Sequence, residues 1–375
     1  MKIKSIKTRI VTTEAQRGVE FAGGFYSKYS CALVQIETDE GLVGYGESIA
    51  RRGSEYATKQ AVDSLLGPLL IGKDPSNIRG LWVEMVSLLR RWGHSRGIIF
   101  EAISGIDIAL WDLLGKSENK PVWELLHGTG RKEILCYASS VYINDYEVMQ
   151  KETIEQMEKG FRSIKVKIGR TPELGGITAD VESVKKIREV IPNNIAITLD
   201  ANSAYDAATA IQIARALEPY NISWFEEPVP PDDLTGYDRI HKMTSIPIAA
   251  GESEFSPFGF SNLITNRLID VVQPDVARCG GITGMCQVAD LAYTYNLQFA
   301  PHTGFSGGIS ALASLNVAAS VPILTTYEYM FIDNPLRHIF EGGFPEPVNG
   351  KLIVPTKPGL GLTIDEKYFE YDLKI

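Results

Sequence analysis

Short apolar runs recur along the chain from residue 134 onward, and each is followed by a polar residue, a loop and a longer amphipathic segment. This alternation is typical of βαβ units, in which parallel strands are joined by helices. The runs recur about every 25 to 30 residues, roughly the repeat of eight strand-helix units in about 250 residues. They are residues 134–138, 163–166, 195–199, 222–225, 247–250, 271–273, 297–300 and 324–327. We therefore predict a (β/α)8-type barrel, a modified TIM barrel within the α/β class.

A doubly wound open sheet is the alternative fold for such a pattern. It would usually carry a glycine-rich first turn of the form GxGxxG, and the chain has none. The closed barrel is therefore favoured.

The first third of the chain follows a different pattern. Two strand-like segments, residues 30–38 and 42–47, are joined by the turn residues Asp39, Glu40 and Gly41. Helical spacing of apolar residues follows at 78–91 and 102–114, where Gly105 suggests close packing. This part of the chain is predicted to be a separate α+β unit.

The domain boundaries follow from these changes of pattern. We expect an N-terminal α+β capping domain at residues 1–126 and a catalytic barrel at residues 127–340. The turn-rich residues 341–375 are expected to pack back on the cap and complete it.

Composition narrows the possible classes of protein. The 375 residues are 44% hydrophobic, enough for a large core, and the net charge of −9 with interspersed signs makes nucleic acid an unlikely partner class. The four cysteines are scattered without a CxxC pair, which argues against disulfides and thiolate metal sites. Residues 1–13 alternate like a strand and do not resemble a signal peptide. A cytoplasmic protein is expected.

One uncharged run, residues 303–327, has the length of a membrane span. Glycines, serines and Pro322 interrupt it, so we interpret it as a buried barrel helix and expect no membrane partner.

Titratable residues follow seven consecutive predicted strands, where barrel enzymes place their active sites. They are Lys165 and Lys167, Asp200, Glu226 and Glu227, Glu252, Asp275, His302, and Glu328. A single charge after a strand is more often a solvated loop residue or a helix N-cap. Burial of so many charges around one barrel mouth is unfavourable in free energy unless they pair with one another or bind a metal. The joint pattern therefore indicates an active site.

Three of these carboxylates, Asp200, Glu226 and Glu252, lie on successive strands. Oxygen ligands without a thiolate or histidine suit Mg²⁺ better than zinc. Strand alternation places Glu226 and Glu227 on opposite faces, and the spacing does not decide which one points inward.

Two lysines and a histidine are candidates for proton transfer. Lys165 and Lys167 are two residues apart on one strand, so both point to the same side, and repulsion is expected to lower the pKa of at least one. The alternative is that both extend to solvent. His302 lies across the predicted barrel, and Asp275 can accept its other imidazole N–H; a packed structural histidine is the alternative. This placement would put one base on each face of a planar reaction intermediate bound in the barrel mouth.

These residues, in this order, resemble the mandelate racemase subgroup of the enolase superfamily across essentially the whole chain. The matching strings are Gly44-Tyr45-Gly46-Glu47, Gly105-Ile106-Asp107-Ile108-Ala109-Leu110-Trp111-Asp112, Lys165-Val166-Lys167-Ile168-Gly169, Leu199-Asp200-Ala201-Asn202, Phe225-Glu226-Glu227-Pro228, Gly251-Glu252, Gln273-Pro274-Asp275, Gly280-Gly281-Ile282-Thr283, Pro301-His302 and Tyr327-Glu328.

The resemblance assigns roles to the site residues. It implies that the metal ligands are Asp200, Glu226 and Glu252, and it favours Glu226 over Glu227. It implies Lys167 as one base, with Lys165 beside the substrate carboxylate. The remaining implied roles are His302, oriented by Asp275, as the opposite acid/base, Glu328 as a hydrogen-bonding partner of the carboxylate oxygen, and Asn202 as a substrate contact.

Two positions distinguish this chain within the superfamily. Arg278 stands where the family often has lysine, so its role is open. The Asp275–His302 pair separates the chain from the muconate-lactonising branch, whose sixth strand supplies a lysine.

The implied chemistry is Mg²⁺-dependent removal of the proton α to a carboxylate, which gives an enediolate. We expect loss of water from an aldonic or aldaric acid to a 2-keto-3-deoxy acid; the alternative is racemisation or epimerisation of a 2-hydroxy acid. A Schiff-base aldolase with Lys167 as nucleophile and a non-catalytic barrel are more distant alternatives. Substrate specificity is expected to come from the cap, with candidate contacts in the loops around residues 21–26 and 50–56. There Arg51 and Arg52 could contact a distal carboxylate of the substrate, or they are simply surface residues. A homo-oligomer is also expected.

Overall fold

The N-terminal domain contains an antiparallel sheet. The computed structural model of the protein describes residues 1–49 and 53–375. In it β1 (Ile3–Phe21) pairs with β2 (Gly24–Thr38), and β2 pairs with β3 (Val43–Ile49). The predicted strand pair is present, and the structure extends it toward the N-terminus by a long first strand and the hairpin that follows it.

Helices cover one face of this sheet. They are α1 (Glu55–Gln60), a π-helical turn (Ala61–Leu66), α2 (Gly67–Leu70), α3 (Ile78–Arg90), α4 (Ile98–Ser117) and α5 (Val122–Leu125). A Cβ atom at Gly46 of β3 would lie 1.9 Å from the carbonyl oxygen of Gly105 in α4. Glycine is therefore required where α4 approaches the sheet, as the Gly105 pattern suggested.

Eight parallel strands form the second domain. They are β4 (Glu133–Val141), β5 (Ser163–Lys167), β6 (Ala196–Asp200), β7 (Ile222–Glu226), β8 (Ile248–Ala250), β9 (Val271–Val272), β10 (Gln298–Phe299) and β11 (Tyr327–Met330). Their order is β10-β9-β8-β7-β6-β5-β4-β11, and a parallel bridge between Phe299 and Leu324 joins the two ends. The predicted barrel with its separate capping domain is confirmed.

The barrel helices alternate with the strands. They are α6 (Tyr146–Glu158), α7 (Gly176–Val190), α8 (Ala207–Leu217), α9 (Leu234–Met243), α10 (Pro257–Thr265), α11 (Gly281–Thr294) and α12 (Gly308–Ser320). Every residue of α12 is buried, which explains its uncharged sequence. No helix in residues 1–49 or 53–375 is both long and apolar enough to cross a membrane.

The last predicted strand was placed too early. We predicted it at residues 324–327, whereas β11 begins at Tyr327. Leu324 makes an isolated bridge, and Thr325 donates its N–H to the Phe299 carbonyl at 2.8 Å, so the chain approaches β10 before the regular strand begins.

The C-terminal segment returns to both domains. Strand β12 (Lys351–Ile353) pairs with β4, and β13 (Leu373–Lys374) pairs with β1 in the N-terminal sheet. The last segment of the chain therefore completes the sheet of the capping domain.

The capping domain is attached to the N-terminus of α11 by polar contacts. Trp82 Nε1 donates to the Gly280 carbonyl at 2.8 Å. The carboxylate of Asp107, on α4, accepts the N–H of Thr283 at 2.9 Å. Buried hydrogen bonds of this kind fix the domain against the barrel.

Candidate active site

The carboxyl ends of neighbouring strands bring the predicted residues into one mouth. In the parallel register, Lys167 of β5 is opposite Asp200 of β6, which is opposite Glu226 of β7. The side chains at these ends point into the barrel because strand residues alternate between its two faces. Almost all are buried, so their charges must be compensated by one another or by a ligand.

Lys165 is surrounded by carboxylates. Its Nζ atom lies 2.7 Å from Glu226 Oε1, 2.8 Å from Glu328 Oε1 and 3.6 Å from Asp200 Oδ2. Burial alone would lower the pKa of Lys165, but the neighbouring carboxylates outweigh it and raise the pKa well above its ordinary value. The expected lowering by repulsion is therefore wrong for Lys165, because carboxylates and not Lys167 dominate its surroundings.

Lys167 contacts the next strand. Its Nζ atom forms an ion pair with Asp200 and donates to Asn202 Oδ1 at 2.9 Å. Asn202 in turn donates its backbone N–H to Asp200 Oδ1 at 2.9 Å, and its amide Nδ2 lies 3.5 Å from Glu252 Oε1. Asn202 therefore links two of the predicted metal ligands to one of the predicted bases.

Glu226 points into the mouth. Besides Lys165, its carboxylate accepts hydrogen bonds from Gln273 Nε2 at 2.7 Å and Trp224 Nε1 at 3.3 Å. Burial, followed by the charge of Asp200, raises the pKa of Glu226 to about 7. Glu227 is also buried but has a left-handed backbone with φ of 39°, and burial and the charge of Glu252 raise its pKa to about 8.

His302 follows β10 on the opposite side of the mouth from Lys167. Its Nδ1 lies 2.8 Å from Asp275 Oδ2, and its Nε2 forms an ion pair with Glu252. Burial would lower the pKa of His302, but the carboxylates of Glu252, Glu328 and Asp275 raise it to about 10.

Glu328 of β11 lies between the lysine and histidine sides. One oxygen accepts from Lys165, and the other accepts the N–H of Thr303 at 2.5 Å and lies 3.8 Å from His302 Nε2. Burial would raise its pKa, but Lys165 and His302 outweigh that effect and hold the pKa of Glu328 well below its ordinary range.

The oxygen donors at the mouth are of the kind that a hard divalent cation prefers. Within residues 1–49 and 53–375, no three His, Cys, Asp or Glu side chains are grouped closely enough to hold a metal ion as they stand. The carboxylates of Asp200, Glu226 and Glu252 are instead occupied by lysine, histidine and amide groups. Their oxygen chemistry, and the raised pKa of Glu226 among other carboxylates, fit a cation that relieves excess negative charge.

A cavity of about 180 Å³ opens at this mouth. It is lined by Lys167, Asn202, Glu252, His302 and Glu328 among the predicted residues. Larger clefts of about 510 and 530 Å³ lie elsewhere and contain none of the predicted site residues. The smaller cavity is the candidate site because the converging ionisable groups lie there.

Several cavity residues were not predicted from the sequence. The lining residues without a sequence prediction come from the end of β4, the segment after His302, and β11: Ser139, Ser140, Tyr142, Gly304, Phe305 and Met330. The remaining lining residues, Phe21, Gly23 and Tyr26, belong to the cap loop at residues 21–26, which was predicted from the sequence as a candidate for substrate contacts. The end of β4 carries hydroxyl groups rather than charges, so no titratable residue marks this strand end in the sequence.

Two predictions concern arginines. Arg51 and Arg52 lie outside the described residues. Arg278 is buried, donates Nη1 to the Glu252 carbonyl at 2.6 Å, and pairs with Glu101 of α4 at 3.2 Å. Arg278 therefore connects the capping domain to the strand end that carries Glu252.

A parallel barrel whose mouth gathers buried carboxylates, two lysines and an Asp–His pair defines an acid–base enzyme site. Comparison with known families agrees with this class. The model for mandelate racemase / muconate lactonizing enzyme N-terminal domains matches residues 5–127, and the enolase C-terminal domain-like model matches residues 149–368. The chain belongs to the enolase superfamily, in its mandelate racemase subgroup, and is an enzyme of that superfamily.

Three curated relatives cover most of the chain. An arabinonate dehydratase of Saccharolobus solfataricus is 37% identical over 340 residues, 90% of this chain and 88% of that protein. A D-galactonate dehydratase of Klebsiella pneumoniae is 35% identical, over 89% of this chain and 88% of that protein. A D-galactarolactone cycloisomerase of Agrobacterium fabrum is 31% identical, over 97% of each.

Solved structures share the whole architecture. A member of the enolase superfamily from Polaromonas sp. JS666 matches with a TM-score of 0.91 and 31% identity, over 100% of this chain and 98% of that chain. A racemase from Streptomyces coelicolor A3(2) with bound magnesium matches with a TM-score of 0.90 and 28% identity, over 98% of each chain.

Proposed function

We propose that the protein is a Mg²⁺-dependent dehydratase of an acid sugar, which removes the proton α to the carboxylate and then eliminates the β-hydroxyl. The observation that carries the proposal is that Lys167 and His302 line one cavity from strands on opposite sides of the barrel. One group can therefore take a proton from one face of the substrate while the other acts on the opposite face.

The metal would be held by Asp200, Glu226 and Glu252. When bound, Mg²⁺ supplies positive charge beside the substrate carboxylate and so stabilises the negative charge that develops there. The hard oxygen donors support this assignment, and so does the magnesium-bound structure of a similar racemase.

The residues of the chain carry the proton transfers. The α C–H bond breaks as Lys167 Nζ takes the proton. The ammonium group of Lys165, which Glu328 holds in place, supplies positive charge beside the carboxylate on which negative charge accumulates. His302 donates a proton to the departing β-hydroxyl, the C–O bond breaks, and water leaves. The enol that remains takes up a proton at the β-carbon and loses its hydroxyl proton, and so becomes the 2-keto-3-deoxy acid.

Positioning groups support this sequence of steps. Asp275 holds the imidazole of His302 through Nδ1, so Nε2, which pairs with the cavity residue Glu252, is the nitrogen proposed to transfer the proton. Asn202 lines the cavity beside Lys167 and is proposed to contact the substrate near its α-hydroxyl. Arg51 and Arg52 are proposed to contact the distal end of the substrate.

The substrate class is supported by the similar proteins described above, two of which are sugar-acid dehydratases. A racemase or epimerase is the second candidate. It would use the same Lys167–His302 arrangement on a substrate without a departing β-group, and the opposite base would return the proton.

A substrate screen tests the proposal. The purified enzyme is incubated with aldonic and aldaric acids and Mg²⁺, and 2-keto-3-deoxy product and exchange of the α-proton in D₂O are measured. We expect product from at least one acid and none in excess EDTA. Exchange without product would favour the racemase. Turnover in EDTA together with borohydride trapping at Lys167 would instead establish a Schiff-base aldolase.

A further inference from the structure

A buried carboxylate of the capping domain contacts the barrel helix that follows His302. Glu47 lies on β3 and is fully buried. Its oxygens accept the N–H groups of Gly307 at 2.7 Å, Ile309 at 3.1 Å and Ser310 at 3.1 Å, and the Ser310 hydroxyl at 2.8 Å. These donors belong to the first turn of α12.

Helix α12 has no cap of its own. Its N-cap residue is Gly307, which has no side chain to accept the free N–H groups of the first turn. A Cβ atom at Gly307 would lie within 2.7 Å of a Glu47 oxygen, so only glycine admits the carboxylate. Glu47 of the capping domain therefore caps this barrel helix. Its negative charge lies at the positive end of the helix dipole.

The segment between His302 and this cap, residues 303–307, is held at further points. Phe305 has a left-handed backbone, and its ring packs on that of Tyr26 of β2 with centroids 4.6 Å apart. Thr303 donates its N–H to Glu328. From the C-terminal side, the buried guanidinium of Arg337 lies 3.4 Å from the carbonyl oxygens of both Thr303 and Ser306.

We infer that Glu47 is a positioning residue, through which docking of the capping domain sets the position of His302 for proton transfer. The inference rests on the proposed function for its kinetic consequences. Within the described part of the chain, the hydrogen bonds of Glu47 go to the helix that follows His302, and none go to Lys167 or to the proposed metal ligands. Loss of the Glu47 carboxylate should therefore impair departure of the β-hydroxyl, which needs His302. It should spare removal of the α-proton, which needs Lys167.

The test compares two substitutions of Glu47 with a matched control. Glu47→Ala removes every acceptor, and Glu47→Gln keeps one acceptor and the shape. The control is Asp112→Asn on α4, since this buried carboxylate accepts the N–H groups of Tyr45 and Leu360 at 2.9 Å and does not touch the segment after His302. Thermal unfolding establishes that each variant is folded.

Two readouts are measured on each folded variant. We expect Glu47→Ala to lower product formation about 10²-fold, as a misplacement near 1 Å would, while α-proton exchange in D₂O changes less than about threefold. Glu47→Gln should fall between the alanine variant and the wild type, and Asp112→Asn should keep the wild-type ratio of the two rates. Equal loss of both rates in the Glu47 variants would overturn the inference.

The second readout does not depend on catalysis. The imidazole signals of the five histidines are recorded by ¹⁵N NMR and that of His302 is assigned from a His302→Asn spectrum. We expect the His302 signal to shift in both Glu47 variants and to stay in place in Asp112→Asn. An unshifted His302 signal in folded Glu47→Ala would overturn the inference even if no substrate were found, and failure of the wild type in the screen would count only against the proposed function. If Glu47→Ala does not fold, the same two readouts are taken from Glu47→Gln, and the same outcomes support or overturn the inference.

Discussion

The imidazole of His302 and the carboxylate of Asp275 are held together at the ends of two neighbouring strands. The Nδ1 and Oδ2 atoms are 2.8 Å apart, and an isolated parallel bridge joins the two backbones. The other Asp275 oxygen accepts the N–H of Ala277 at 2.8 Å, so the carboxylate is itself fixed. Asp275 thereby determines which histidine nitrogen faces the cavity.

Replacement of Asp275 should impair the histidine without disturbing the fold. Asp275→Asn keeps the shape but offers the wrong partner to Nδ1–H, so we expect kcat to fall by roughly 10²- to 10⁴-fold with little change in KM. Steady-state kinetics and a thermal unfolding curve measure both effects. Activity within twofold of the wild type would show that Asp275 does not orient His302.

Metal dependence is the second prediction. Asp200→Asn, Glu226→Gln and Glu252→Gln should each abolish turnover and weaken Mg²⁺ binding measured by calorimetry, because each replaces a charged carboxylate ligand by a neutral amide. EDTA should remove activity and added Mg²⁺ should restore it. Asp206→Asn is the control, since this exposed carboxylate caps α8 shortly after Asp200.

Each variant needs a check of folding, because removal of one partner from a buried ion pair costs about 3–5 kcal/mol. Full activity in excess chelator, or wild-type Mg²⁺ affinity in all three ligand variants, would exclude the assigned site.

The third prediction separates the two proton transfers. If His302 assists departure of the hydroxide, His302→Asn should stop water loss while Lys167 still exchanges the α-proton with solvent deuterium, and Lys167→Met should stop both. With a substrate of the opposite α-configuration, His302→Asn and Lys167→Met should show each other's phenotype. NMR of the α-position and product assays report the two steps. Wild-type rates in both single variants would refute the two-base arrangement.

The fourth prediction concerns the pH dependence of stability. Burial raises the pKa of Asp107 from 3.8 to about 7, although Thr283 and Ile282 donate to its carboxylate. Because the folded state favours the neutral acid, the stabilisation is complete below pH 3.8 and is lost as the pH rises to 7.

The asparagine side chain in Asp107→Asn cannot titrate, so the unfolding free energy of this variant should not fall in this way as the pH rises. Relative to the variant, the wild type should lose on the order of 2 to 3 kcal/mol of unfolding free energy between pH 5 and 7, and only about 0.4 kcal/mol more above that range. Urea denaturation across this pH range measures the difference. Parallel stability profiles would show that the pKa of Asp107 is not raised.

The barrel was predictable because its pattern is local and repeated. Each buried parallel strand is a short apolar run and each helix an amphipathic segment, so most predicted strands fall within a few residues of those observed. The long hairpin of β1 and β2 was predicted only in part. Much of its outer end is partly or fully exposed, so apolar alternation does not mark it.

The sequence by itself determined which chemical groups stand at the strand ends, since a charge that follows an apolar run lies at the barrel mouth whatever the details of packing. Only the tertiary structure decided how these groups interact. The pKa of Lys165 is raised and not lowered because Glu226 and Glu328 converge on it from other strands. Likewise, Glu47 reaches α12 across 260 residues of sequence. Electrostatic interactions and helix capping depend on distance in space, and distances between residues far apart in the chain exist only once the chain has folded.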